Sequence, residues 1–311
     1  MAGYGTTASR PSAAANGHDT TTTTTTTVTT DPEQQPLLGK PSSPSKAGRG
    51  CGGVTKVRKT LGANVSRSWA DLVLLFCYVV TGLLDSASTQ VWGAFVSMQT
   101  GNTIYVALGI ASLIYPPVSP RLYRSGVSLL AFCAGSWLFA RFHRVVAGAP
   151  TRRWVLCASF LAQALLTVAA AVVVGRTTPP PGDSGPGPGP DDDAVDWTVL
   201  LPLALVALQS CGQAVASRAL RHNALTSVVL TSIYCDLFSD QHLLRPHNPD
   251  RNRRAAAPLL LLLGAVLGGI FAHSPFGIQG ALWTAAALKL LMVVIWFFWP
   301  EEPAADDDDD E

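Results

Sequence analysis

The sequence predicts an all-α polytopic membrane protein, and three observations carry that prediction. Eight apolar stretches follow one another from Trp69 onward. Only 14% of the 311 residues are charged while 48% are hydrophobic, whereas a soluble domain carries about a quarter charged residues. The remaining charges are sorted: Lys and Arg cluster between the apolar stretches, and acidic residues concentrate in one loop and the C-terminal tail. With the charge so distributed, the net charge of +1 says nothing about nucleic acid; there is no basic patch interleaved with aromatics, and no nucleic-acid partner is expected.

Residues 1–68 are read as a disordered, cytosolic N-terminal region. They are rich in Ser, Ala, Gly and Pro and include eight consecutive threonines, Thr20 to Thr27, a composition that cannot bury enough apolar surface to offset its ordering entropy. Within it, "EQQPLL" matches an acidic dileucine sorting signal carried by Glu33, Leu37 and Leu38. No apolar run precedes Trp69, so no cleavable signal peptide is expected and the first hydrophobic segment must direct insertion.

The eight stretches cover 69–92, 94–115, 124–146, 154–176, 197–217, 223–243, 256–274 and 279–299. Together they form a helical transmembrane domain, 69–299, interrupted by a Pro/Gly-rich acidic loop at 177–196 and followed by an acidic tail at 300–311. About 20 residues cross the hydrocarbon core, so all eight are long enough. The second carries Gln99, Thr100, Gly101, Asn102 and Thr103, and the sixth carries Thr226, Ser227, Thr231, Ser232 and Asp236. If all eight crossed, the cluster Arg141, Arg144, Arg152, Arg153 would lie outside and the acidic loop inside, against the positive-inside rule. If the second and sixth instead enter and leave on one face, the large basic clusters and the N-terminus are all cytosolic, and only Arg121 and Arg124 are misplaced. The expected architecture is six full transmembrane helices plus two polar broken or re-entrant segments, with eight spans as the alternative. Each half then crosses an odd number of times, which gives the inverted-repeat plan of many transporters. "AFVSMQTGNTIY" and "ALTSVVLTSIY" align across the halves with a one-residue gap.

"TGLLDSAS" with "GAFVSMQTGNTIYVALG", and later "ALQSCGQ" with "LTSVVLTSIYCDLF", resemble the DUF1275 family of membrane proteins, also called YoaK-like or UPF0700. The resemblance runs from about residue 70 to 299 and rests on Gly82-x-x-Asp85, Phe95-Val96-x-x-x-Thr100-Gly101-Asn102, a Gln-bearing helix and a Thr-x-x-x-Thr element. It implies a polytopic helical fold and leaves the activity open. One departure is Thr231-Ser232, where many relatives have Thr-Gly. The long N-terminus and the Pro/Gly loop resemble a fungal elaboration of the core.

Candidate substrate-binding residues are Asp85, Thr100, Gly101, Asn102, Gln209 and Thr231. A carboxylate at membrane depth costs about 2.5–3.5 kcal/mol on insertion scales, so Asp85 requires an interior partner. It is either a proton, cation or polar-solute site, or a hydrogen-bond anchor for the broken backbone near Gly101. Asn102 can donate and accept, and Gly101 removes a Cβ at the break. This polar cluster either closes its own break or opens it to a ligand. Gln209 and Gln213 share a helical face, and Asp236 is placed to pair with an arginine. Lys289 either snorkels to an interface or pairs with a carboxylate such as Asp85. Gly264 and Gly268 form a small-residue pair for close helix contact, and Trp283, Trp296 and Trp299 read as interface anchors. His143, His222 and His242 fall at loop edges.

The six cysteines, Cys51, Cys77, Cys133, Cys157, Cys211 and Cys235, form no CxxC or Cys/His pattern, so small buried thiols are expected, with no disulfide framework and no metal. No hydrolase, metalloprotease or phosphate-loop motif occurs, so no enzymatic role and no cofactor is expected. The function expected is a small-solute transporter or channel with a polar midplane site, its partners being the lipid bilayer and a small polar solute or ion. The alternative is a non-transporting scaffold with a partner-recruiting N-terminus. The expected address is a vacuolar, endosomal or plasma membrane.

Overall fold

Among the described residues, six helices are long and apolar enough to cross a membrane. The computed structural model describes residues 60–66, 69–116, 118–146, 151–177, 196–222 and 226–302, all within the unit Arg49–Glu311. The sorting motif at Glu33, Leu37 and Leu38, most of the acidic loop and the last nine residues lie outside the described residues. The helices are α1 (Ala70–Trp92), α2 (Gln99–Ser112), α3 (Arg121–Arg141, continued by a π-helical turn, Phe142–Val146), α4 (Arg153–Thr177), α5 (Trp197–Ala219), α6 (Thr231–Phe238), α7 (Pro249–Ala272) and α8 (Gly277–Phe298). Among the described residues β-structure is limited to two isolated bridges.

Local chemistry fixes several boundaries. Gly93 adopts the left-handed conformation (φ 71°) and its N–H bonds back to Thr89, ending α1 as glycine does at helix C-termini. Asp196 caps α5 by accepting from the Thr198 N–H. Asn248 caps α7 by accepting from the Arg251 N–H, with Pro249 in the first turn, where its missing donor costs nothing. At 1.5 Å per residue, the 14 residues of α2 reach about 21 Å and the eight of α6 about 12 Å. A hydrocarbon core is about 30 Å thick. The two polar stretches are therefore the two short helices.

Helix partners recur in a pattern. α1 packs on α7 and α3 packs on α5; α4 meets both α5 and α8; α8 meets α1; α2 lies on α3 and α6 on α7. The two main crossings use the same device. A Cβ on Gly264 would lie 2.0 Å from the Val79 carbonyl oxygen, and one on Gly135 would lie 2.1 Å from that of Leu208. Only glycine allows α7 to approach α1, and α3 to approach α5, that closely. Gly82 and Gly268 add further backbone approaches between α1 and α7, to Leu261 and Leu83.

α1 and α5 are the most buried long helices. Around them α3, α7 and α8 turn Leu130, Trp137, Leu262, Val266, Ile270 and Val294 outward. That exposed apolar belt matches a hydrocarbon surrounding.

Three chain segments meet at one end of the bundle. Val65 N–H donates to Thr151 O, Arg153 N–H to Ala63 O, and Ser66 N–H to Pro300 O, each at 3.0 Å. The buried Arg153 guanidinium donates to Thr60 O at 2.8 Å and to Trp299 O at 2.5 Å. Ala63 to Ser66 and Pro300 to Glu302, assigned by composition to the two tails, are thus packed parts of the bundle. Residues 66, 152 and 300 thus lie together at one end of the bundle.

Candidate functional site

Residues 93–98 connect α1 to α2, and this connection is buried although it is not helical: Ala94, Val96 and Ser97 are almost fully enclosed. Its backbone groups must therefore find partners in the protein, and side chains supply them. Asp85 Oδ1 accepts from the Val96 and Ser97 N–H groups at 2.8 and 2.9 Å, and Oδ2 accepts from the Ser97 hydroxyl. Asn102 Oδ1 accepts from Phe95 N–H at 3.0 Å, while its Nδ2 donates to Phe95 O at 2.7 Å, Gln99 Oε1 at 2.9 Å and Ser128 Oγ at 3.1 Å. Ser210 of α5 donates to Val96 O at 2.7 Å. Gly101 lies under the Phe95 ring, where a Cβ would come within 2.7 Å. The break is closed from four helices.

Of the six candidates, Asp85, Gly101 and Asn102 thus converge on this connection. Thr100 and Thr231 stand on exposed faces and do not join them. Gln209 is fully buried, and neither its Oε1 nor its Nε2 has a hydrogen-bond partner. Its neighbour one turn on, Gln213, accepts from Thr81 at 3.0 Å and from Ser227 at 3.1 Å.

A second polar centre lies at the α4–α8 contact. Lys289, midway along α8, is fully buried and donates to Gln163 Oε1 of α4 at 2.8 Å. It neither snorkels nor pairs with Asp85, and none of the described salt bridges includes it. Cys77 of α1 and Cys211 of α5 are near enough to interact with it electrostatically. The other end of the Gln163 amide, Nε2, is buried without a partner and lies against Gly212 of α5, whose Cβ would come within 2.5 Å. Gln209 is three residues from Gly212 on that helix. Buried polar groups are nearly always hydrogen-bonded, so these unpartnered atoms mark a place that its own fold does not satisfy.

A cavity of about 220 Å³ borders Asp85 between α1 and α7, lined also by Ser86, Thr89, Gln90 and Met98. The Thr89 hydroxyl is buried there without a partner. A separate, polar cleft of about 580 Å³ lies at the α6–α7 connection, lined by Asp236, Asp240, His242, His247 and Arg254. There Arg254 pairs with Asp240 at 3.7 Å and with the Asp236 carbonyl, so the Asp236 side chain is not the paired group. The His242 N–H, and after it the Asn248 amide and Arg254, hold the Asp240 carboxyl below its ordinary range.

Several placements differ from the sequence expectations. Trp296 is fully buried and packs on Phe160 and Trp299, so it is a core residue rather than an interface anchor. Trp299 donates its indole N–H to Ser66 O at 3.0 Å. His143 is buried in the π-helical turn. Cys133 and Cys235 are exposed, whereas Cys77 and Cys211 are buried. Arg121 and Arg124, the two exceptions to the charge rule, have local partners: Arg121 lies 5.4 Å over the Tyr105 ring and Arg124 donates to Trp92 O at 3.2 Å. The site residue that sequence reasoning missed is Gln163. Its only signal is a lone amide in the apolar run "SFLAQALLTVAAAVVV".

Six apolar helices with polar groups enclosed between them define a polytopic helical membrane protein. The chain belongs to DUF1275, a family described as proteins of unknown function, whose sequence profile matches residues 73–295. No curated protein and no solved structure matches the chain.

Proposed function

We propose that the chain is a transporter or channel for a small polar solute, with its site at the Lys289, Gln163 and Gln209 centre. The observation that carries this reading is the unpartnered, fully buried amide of Gln209. It closes no break, unlike Asp85 and Asn102, and α5 could do without it. Buried polar groups that a fold does not need are commonly retained for a ligand.

Two short polar helices and six crossings form an inverted repeat in this reading. Its support is the paired glycine crossing: Val79 and Leu208 are 129 positions apart, and so are Gly135 and Gly264. Tyr105 and Tyr234, which end the two aligned polar stretches, have the same separation. With the basic clusters inside, the N-terminus is cytosolic, and the dileucine motif favours an endosomal or vacuolar membrane, with the plasma membrane as the other address. No catalytic step belongs to this reading. The scaffold alternative rests on residues 1–59, outside the described residues, and no observation favours it.

The test is solute uptake into proteoliposomes across a panel of small polar solutes, for wild type and Gln209→Leu. Uptake of one solute class that falls to the empty-vesicle rate in the variant is expected. Equal rates with and without the protein for every solute would remove the proposal.

A further inference from the structure

We propose that the Lys289 centre is a binding site for a small monovalent anion, which names the solute class of the transporter reading and rests on it. Lys289 Nζ has a single hydrogen-bond partner, the neutral Gln163 Oε1 at 2.8 Å. Gln163 Nε2, on the same amide, is an unpartnered donor beside that ammonium. One turn away on α4, the Ser159 hydroxyl, which can donate, is buried without a partner. Gln209 on α5, three residues from the Gly212 that Gln163 lies against, has both its Nε2 donor and its Oε1 acceptor unpartnered.

The charge count gives the valence. An ammonium at mid-membrane is stable only with a compensating charge or after losing its proton, and no carboxylate pairs with it among the described residues. One anion of charge −1 neutralises one lysine. The flanking groups that would complete its coordination are neutral N–H and O–H donors, which suit anion oxygens or a halide. A cation or a second positive charge would meet repulsion from Lys289. A neutral solute would suit only the deprotonated amine, and glycerol and urea uptake tests that case. Cys77 and Cys211, the ionisable neighbours of Lys289, carry no charge as thiols and leave that count unchanged.

The experiment measures uptake of sodium nitrate and sodium acetate, and in parallel glycerol and urea, into proteoliposomes with an ionophore to carry compensating charge. A second measurement, independent of any variant, is the melting temperature of detergent-solubilised wild type in nitrate against sulfate at matched ionic strength. Nitrate or acetate uptake at least tenfold above empty vesicles is expected, falling to the empty-vesicle rate in Lys289→Met, together with a saturable rise in melting temperature in nitrate that Lys289→Met lacks. Uptake of glycerol or urea without the anions would overturn the anion assignment and leave the transporter reading standing. A nitrate-dependent stabilisation without any uptake would support the anion site and sink the transporter reading. No uptake and no stabilisation would overturn both.

Discussion

Asp85 Oδ1 accepts from the Val96 backbone N–H at 2.8 Å, joining α1 to the buried connection that precedes α2. With the matching bond to Ser97, one carboxylate closes two backbone donors that no helix ladder reaches. Besides side chains that pair with one another, such as Gln213 with Thr81 and Ser227, two sets of buried polar residues differ in what they satisfy. Asp85, Asn102, Gln99, Ser128 and Ser210 satisfy a broken backbone; Gln209, Gln163 and Lys289 do not.

Removing a member of the closing set leaves backbone groups orphaned in an apolar interior, at about 1–3 kcal/mol for each. Asn102→Ala strands the Phe95 N–H, leaves the Phe95 carbonyl to the Ser128 hydroxyl alone and removes a contact from Gln99 and Ser128. Its melting temperature in detergent should fall by several degrees relative to wild type. An unchanged value would mean the connection finds other partners.

The glycine crossings set the helix spacing. Gly264→Val and Gly135→Val each push a side chain onto a backbone carbonyl, an overpacking that costs about 1–3 kcal/mol or more. Both variants should lose yield of folded protein in size-exclusion chromatography. Gly126→Ala, where a Cβ meets nothing within 4 Å, should behave as wild type. Equal behaviour of all three would contradict the packing described.

The α6–α7 connection should be acid-sensitive. Asp240 is held below its ordinary range by the His242 N–H first, so its ionised form supports this segment at any pH above the unfolded carboxylate value, about 3.9. That support is lost as pH falls through the depressed folded value. Protection factors for amide exchange at residues 239–248, referenced to the intrinsic rate at each pH, should therefore fall at a pH below that point and stay constant from pH 5 to 8. Asp240→Asn should lose this acid-dependent fall in protection, and a fall already complete at pH 5 would contradict it.

Parity of the crossings can be read by labelling. In a background with Cys51, Cys133, Cys157 and Cys235 replaced, Arg152→Cys and Glu302→Cys should react with an impermeant thiol reagent from the same face, and His273→Cys from the other. Opposite-face labelling of positions 152 and 302 would break the six-crossing account.

The eight helices α1 to α8 were legible in the sequence because apolar runs and their interruptions are local signals, whereas the helical turn at 60–62 was not. The end of α1 at Gly93 and the caps at Asp196 and Asn248 are local as well. The site was legible only in part. Asp85 and Asn102 stand out because polar residues in apolar runs are rare, yet which partners they take depends on a connection that folds back onto α1. Thr100 looks like Asn102 in the sequence, but two residues along a helix turn it to the opposite side. Lys289 and Gln163 are separated by 126 positions, and no periodicity links residues on two helices that meet only in the folded bundle. Trp296 shows the same limit. A tryptophan near a helix end reads as an anchor until packing on Phe160 places it inside.

The division of the polar residues is tested most directly by the melting temperatures of Asp85→Leu and Gln209→Leu, measured side by side in detergent. Asp85→Leu removes the acceptor of the Val96 and Ser97 backbone donors and should melt several degrees lower than wild type. Gln209→Leu removes two unpartnered polar atoms at nearly constant volume, leaves no orphan behind, and should melt at or above wild type. A fall of similar size in both variants would contradict the division and return Gln209 to the structural set.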